Sequence, residues 1–271
     1  MNKIGLIAGY GKLPFLWAKQ AKNNNTNVFA FLISEEYSKN LDNEVYSTDY
    51  LSFTQFDKLI NKLKSYNIKK VIMLGKVNKK HLYEKNDFDK RFMKLLEQSN
   101  NLDDHSILNM IVNEFENEGI EVLKQTTFFD HLLTEDGLIN NIKPKQELLD
   151  EMKYAFSKAK GIADLDIGQT VLTKDKAVVA VEAIEGTDLT IKRAGNIINK
   201  GSVMAKVSKN SQDLRFDLPT IGLNTVKNLI SINASALVLE SKRILMLEKD
   251  EIIELADKHD LSIYSISGKE V

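Results

Sequence analysis

Two acid-rich stretches in the C-terminal half carry the residue types that cleavage of a phosphoric anhydride requires. The first, VEAIEGTD, places Glu182, Glu185 and Asp188 around Gly186 at a strand-to-helix junction. Capping by Thr187 or Asp188 would account for part of it, but three carboxylates exceed what capping needs, and clustered oxygen donors suit Mg2+ or Mn2+. The second, KVSKNSQDLRFDLPTIG, interleaves Lys206, Lys209 and Arg215 with Asp213 and Asp217. The cations would neutralise a diphosphate, and the aspartates would orient a metal or activate water. Splitting a diphosphate takes charge neutralisation on the bridging oxygens and a placed nucleophile. A solvated loop of mixed charge is the competing reading of this stretch.

The N-terminal half offers weaker signals. Gly9-Tyr10-Gly11 follows an apolar run and precedes a helix, where backbone N–H groups can approach a phosphate. A structural tight turn explains the same residues. A dinucleotide fingerprint would need a third glycine where Pro14 stands, and Glu35-Glu36 is only loosely placed for a ribose. Gly75-Lys76 closes another strand and would border the same crevice, with a solvated turn lysine as the alternative. Asp103-Asp104 stands at a helix start, where capping and the helix dipole explain it better than a site does. His81, His105, His131 and His259 lack ligand spacing, and no serine–histidine arrangement resembles a nucleophilic triad.

The elements that must hold these residues alternate. Strands are expected at 3–8, 27–33, 70–74 and 120–124, with helices at 13–22, 53–65, 88–98 and 106–116. Pro14 suits a first helical turn. Strands separated by helices imply a parallel, Rossmann-like sheet. Phe88, Phe92, Leu95 and Leu96 share one helix face with cations between them, which reads as a core helix before a membrane-surface or acyl-chain contact. The pattern breaks over 132–145, expected as a linker between domains at 1–131 and 146–271. Beyond it, 169–173 and 177–183 flank Lys174-Asp175-Lys176 as a hairpin. A helix from about 189, a strand at 203–207 and a helix after Pro219 follow. Short strands at 236–239 and 244–247, a helix at 251–259 and a strand at 261–266 end the chain. The fold class is α/β in both halves.

With 271 residues the chain can bury a sizeable core and fits two domains. A net charge of −1 gives no global field for nucleic acid. The absence of cysteine excludes disulfides, Fe–S clusters and thiolate zinc sites, and fits a reducing compartment. The glycines and Pro14 in MNKIGLIAGYGKLP argue against a signal peptide. No apolar stretch approaches the roughly 20 residues that span a bilayer.

Taken together, IGLIAGYGKLP, VIMLGKV, the Asp103-Asp104 helix start, GIADLDIGQTVL, AVEAIEGTD and KVSKNSQDLRFDLPTIG resemble a known family over almost the whole chain. It is the magnesium-dependent UDP-2,3-diacylglucosamine pyrophosphatases, which some Gram-negative bacteria use in lipid A synthesis instead of a metallophosphoesterase-type enzyme. EAIEGTD with QDLRFDLPTIG is the specific part; the GxGxLP start is not. The resemblance implies a Rossmann-like N-terminal domain and a C-terminal α/β domain enclosing substrate between them. It implies hydrolysis of the UDP-sugar diphosphate to UMP and 2,3-diacylglucosamine 1-phosphate (lipid X). The essential aspartate falls within 213–217, with Asp213 slightly preferred over Asp217. Expected substrate contacts are Gly9, Gly11, Gly75, Asp103, Asp104, Gln169, Gly186, Thr187, Lys206, Lys209, Gln212, Arg215 and Thr220. Glu182, Glu185 and Asp188 are the expected metal ligands, an inference from their chemistry, with Mg2+ or Mn2+ as cofactor. Tyr10 and Lys12 depart from the family's glycine turn. The expected partner is the acylated UDP-sugar, with transient inner-membrane contact, room for a homodimer, no nucleic acid and a cytoplasmic location. A nicotinamide-dependent oxidoreductase and a non-catalytic lipid or nucleotide carrier are the competing classes.

Overall fold

A computed structural model describes residues 2–33, 39–52, 54–77, 88–98 and 104–268. The chain divides into two compact units, Met1–Phe129 with Leu214–Phe216, and Asp130–Asp213 with Asp217–Val271. The expected linker at 132–145 is part of the second unit. Within it, Gly137–Leu138 forms a strand, Thr134 and Ser265 hydroxyls bond at 2.9 Å, and the Asn140 amide donates to the Leu261 carbonyl at 2.9 Å. Glycine and polar residues there mark an edge strand and its turns, not an untethered connection.

In the first unit, β1 (Asn2–Ala8), β2 (Thr26–Leu32), β3 (Ser47–Tyr50), β4 (Lys70–Leu74) and β5 (Glu121–Val122) form a parallel sheet in the order β3-β2-β1-β4-β5. The central strands are apolar on both faces because helices cover both, which is why they read as continuous hydrophobic runs. Helix α1 (Leu13–Asn23) packs on β1 and β2. Helices α2 (Phe56–Ser65), α3 (Lys90–Gln98) and α4 (Asp104–Asn117) build the larger core. There Phe56, Leu59, Phe92, Val112 and Phe115 meet Ile7, Phe29, Phe31, Val71 and Met73. Phe216 completes the same cluster. Phe92 and Leu95 put α3 into this core, and its Arg91 pairs with Asp57, Glu114 and Glu118.

The second unit holds a six-stranded mixed sheet. Its strands are β6 (Gly137–Leu138), β7 (Thr170–Lys174), β8 (Ala177–Val181), β9 (Val203–Lys206), β11 (Ala236–Glu240) and β13 (Ser262–Ile266), in the order β6-β13-β11-β9-β7-β8. Strands β9, β11 and β13 run parallel, while β6, β7 and their neighbours pair antiparallel. A separate pair joins β10 (Thr220–Ile221) to β12 (Leu245–Met246). The turn between β7 and β8 has positive φ at both Asp175 (52°) and Lys176 (56°), the conformation that a two-residue hairpin loop favours.

Alternate strand residues feed two cores. Val171, Val203, Ala205 and Val238 face α5 (Gln146–Asp164), while Leu172, Met204, Leu237 and Leu239 face the other cluster. Buried residues of α6 (Thr187–Ile197), α7 (Leu223–Ser231) and α8 (Lys249–Lys258) fill that second cluster. Among the described residues no helix is long and apolar enough to cross a membrane.

Candidate active site

Several of the candidate residues of the second unit gather at the carboxyl end of β9. Thr170 opens β7 opposite Lys206, the last residue of β9, and Val181 ends β8 opposite Val171. Strand directions therefore bring Gln169, Glu182 and the 207–209 segment to the carboxyl end of β9, where open α/β sheets place ligands. Gly168 makes the approach close: a Cβ there would lie 2.1 Å from the Glu182 carbonyl oxygen. The Glu182 N–H donates to the Thr170 carbonyl at 2.9 Å, and the Val207 N–H to that of Gln169 at 3.0 Å.

These contacts outline a cleft of about 200 Å3 lined by Asp166, Ile167, Gln169, Glu182, Lys209 and Asp217, among others. Gln169 Nε2 donates to Gln212 Oε1 at 2.9 Å, and Gln212 Nε2 donates to the Asp217 carbonyl at 2.8 Å. This chain holds Asp217 on the cleft, in left-handed backbone (φ 54°). Lys209 is largely covered and pairs with exposed Asp166 at 2.9 Å. Such a pair with one solvated partner is weak, so an incoming anion can draw the ammonium away. Glu182 Oε1 accepts from the Thr187 hydroxyl at 2.7 Å, whereas its buried Oε2 accepts no hydrogen bond among the described residues. The cleft thus offers a cation and the Gln169 amide to an anion, and carboxylate oxygens to a metal ion or a water.

Several expected residues stand elsewhere. Lys206 is no surface cation: it is 6% exposed, and its ammonium donates to the Thr187 and Thr170 hydroxyls at 2.8 and 3.3 Å, with Glu182 Oε2 3.9 Å away. Burial turns it inward, to brace the Thr187–Glu182 contact. The carboxylates of Glu182, Glu185 and Asp188 do not form a set, and among the described residues no three His, Asp or Glu side chains come together to hold a metal. Glu185 is engaged by Arg193 at 2.5 Å and by the Ala183 N–H at 3.1 Å. The Arg193 guanidinium, helped by backbone N–H groups, holds its carboxyl below the usual range. Asp188 lies exposed in the first turn of α6, where a negative charge suits the helix dipole, and Gly186 is the residue that caps that helix.

Arg215 belongs to the first unit, where it pairs with Glu116 at 2.5 Å. Asp213 is half-buried in the second unit and is not among the residues lining the cleft. Thr220 lies in β10, paired with Leu245.

In the first unit, Gly9, Gly11 and Gly75 do sit at the carboxyl ends of β1 and β4, the point where strand order reverses. Yet the Gly9 N–H donates to Leu74 and the Tyr10 N–H to Lys76, while the Lys76 N–H returns to Tyr10, all at 2.8–2.9 Å. A Cβ on Gly9 would lie 2.3 Å from the Lys76 carbonyl oxygen. Two of the N–H groups expected to face a phosphate therefore lace the two turns together. Asp103 lies outside the described residues, as do His81, Glu35, Glu36 and the side chain of Asp104, whose backbone opens α4.

The reading of residue types alone did not single out Asp166 or Gly168, which line the cleft. Only Gly168 carried a signal, as a glycine directly before a predicted strand.

Comparison with known proteins agrees with this two-part organisation. The LpxI N-terminal domain matches residues 3–132, and the LpxI C-terminal domain matches residues 135–264. Over its whole length the chain is 27% identical to the UDP-2,3-diacylglucosamine pyrophosphatase LpxI of Caulobacter vibrioides, covering 99% of that protein. With both domains matched in order across nearly the entire sequence, the chain belongs to the LpxI family.

Proposed function

We propose that the protein hydrolyses the diphosphate of UDP-2,3-diacylglucosamine, adding water across the P–O–P bridge to give UMP and 2,3-diacylglucosamine 1-phosphate. The observation that carries this reading is the full-length likeness to an LpxI pyrophosphatase, joined to a polar cleft at the carboxyl end of β9. In that cleft Lys209 neutralises phosphate charge and Gln169, held by Gln212, orients phosphate oxygens. Asp217, which lines the cleft, is the carboxylate assigned to orient the attacking water, in preference to Asp213.

The proposal includes Mg2+, or Mn2+, as cofactor. No three-carboxylate cage exists among the described residues, and the set Glu182, Glu185 and Asp188 does not fit one. Glu182 Oε2, which accepts no hydrogen bond among the described residues and has the Lys206 ammonium at 3.9 Å, does fit as a single carboxylate ligand, because magnesium keeps waters and takes phosphate oxygens for most of its shell. When bound, the ion supplies charge neutralisation on the diphosphate. The same reading puts the protein in the cytoplasm, touching the inner-membrane surface transiently to collect an acylated substrate, and leaves room for a homodimer.

The test is purified protein with UDP-diacylglucosamine, with Mg2+ and with EDTA, and mass analysis of the products. UMP and lipid X should form only with the metal; no UMP under either condition overturns the reading. Asp217→Ala should lower turnover by at least about a hundredfold with unchanged circular dichroism. Normal turnover by both Asp217→Ala and Asp213→Ala would sink the site assignment.

A further inference from the structure

The mechanism above makes no use of a buried ion pair that lies behind the cleft. Glu240, the last residue of β11, is 4% exposed and pairs with Lys160 of α5 at 3.1 Å. Both groups converge on one residue of the segment after β9. Glu240 Oε2 accepts from the Ser208 N–H at 2.7 Å and from its hydroxyl at 2.9 Å, and Lys160 Nζ donates to the Ser208 carbonyl at 2.7 Å. Ser208 is wholly buried, so its backbone donor and acceptor and its hydroxyl are all met by the pair. On either side stand Val207, fixed to Gln169 and packed in the core, and Lys209, which lines the cleft. Gln212 follows, its N–H bonded to the Lys209 carbonyl at 3.0 Å.

We infer that the Lys160–Glu240 pair is a positioning device, fixing Ser208 so that Lys209, and Gln169 held by Gln212, meet the diphosphate in register. This rests on the hydrolase reading given above. Stability alone is a poor reason for the pair, because apolar side chains of similar volume often hold a core at least as well as a buried ion pair. What apolar groups cannot supply is three directed hydrogen bonds to one residue, two of them to its backbone. A small misplacement of groups around a reacting phosphate is enough to slow it strongly. Neither residue touches the cleft, so neither is catalytic.

The experiment compares the full-length protein with the double variant Lys160→Met/Glu240→Leu, which removes both charges together, and with Glu240→Gln, which keeps an acceptor for Ser208. Thermal unfolding, kcat and KM for UDP-diacylglucosamine, and amide hydrogen exchange over 207–213 are measured for each. The double variant should unfold within a few degrees of the parent. Its kcat should fall roughly tenfold or more, with KM changed less than about threefold, the pattern of lost transition-state alignment. Exchange over 207–213 should quicken by about tenfold or more while α5 and β11 stay protected. Glu240→Gln should recover most of the turnover. A folded double variant with parental kcat and parental exchange overturns the proposal, as does lost activity with unchanged exchange over 207–213. If the double variant does not fold, Ser208→Ala, which removes one of the three bonds, decides: quickened exchange over 207–213 together with lowered kcat supports the proposal, and either one without the other, or neither, overturns it. Should the parent itself release no UMP, the hydrolase reading falls separately, and the exchange measurement, which needs no substrate, still decides whether the pair fixes the segment.

Discussion

At the scale of single residues, close packing of backbone against backbone sets the strictest requirement. Gly168 lies so near the Glu182 carbonyl that a methyl group would overlap it at 2.1 Å, and the obstructing atom is main chain, which cannot rotate away. Gly168→Ala must therefore push the entry to β7 off the turn that carries Glu182. Overpacking of this kind typically costs about 1–3 kcal/mol. Because Gln169 and Glu182 flank the contact, the strain falls on the cleft itself. The expected outcome is a lowered melting temperature together with a loss of UMP release larger than the stability change explains. Unchanged turnover would show that the spacing between these two backbones is not what the reaction depends on. Lys206, expected at the substrate, lies buried instead, for residue type does not reveal depth. Its two hydroxyl partners, Thr170 and Thr187, lie 36 and 19 residues away in sequence, and only strand pairing brings them to it.

At the scale of elements, charge as well as packing joins the helices of the first unit. Arg91 of α3 donates to Asp57 of α2 and to Glu114 and Glu118, and Glu118 also receives Lys64. The lysine first, then the arginine, hold the Glu118 carboxyl below its ordinary value of 4.5. A carboxyl lowered in the folded state stabilises the fold above its unfolded value and loses that contribution as pH falls through the lowered one. Thermal unfolding followed from pH 7 down to 3 should show an acid limb that begins near 4.5, and Glu118→Gln should flatten it. The neutral-pH cost of that substitution should be on the order of 1 kcal/mol, the scale of partly exposed ion pairs. A parent-like acid limb in the variant would assign the pH dependence to other groups. The elements themselves were legible where burial is two-sided: β1, β4, β9, β11 and β13 appear as short apolar runs because both faces are covered. Helix α5 was not foreseen because three of its five buried positions, Ala155, Ala159 and Ala163, are alanines, which leave its apolar stripe faint. Strand β3 was missed because STDY is polar and flanks the sheet on one side only.

At the scale of the whole molecule, the chain order and the order of its compact units differ. Residues 1–129 do not make a complete first unit: Leu214–Phe216 return to it from the middle of the stretch that also carries Asp213 and Asp217. No local pattern announced this, because RFD reads as part of a charged loop. The structural reason is Phe216, 2% exposed within the core cluster that holds Phe31, Phe56, Phe92 and Phe115. Leu214 adds a backbone tie, its carbonyl accepting from the Gln125 N–H at 2.7 Å. Removing a buried phenylalanine typically costs about 3–5 kcal/mol, a large part of a domain's stability. Phe216→Ala should therefore lower the unfolding temperature of the first unit, although its sequence position lies in the C-terminal half. A fragment ending at residue 129 should show the same defect, since it lacks that side chain altogether. Amide exchange separates the outcomes: Phe216→Ala should expose amides of α2, α3 and α4 while those of β9, β11 and β13 keep their protection. If the losses instead appear in the second sheet, or the fragment 1–129 is as stable as the first unit in the full chain, Phe216 is not part of that core.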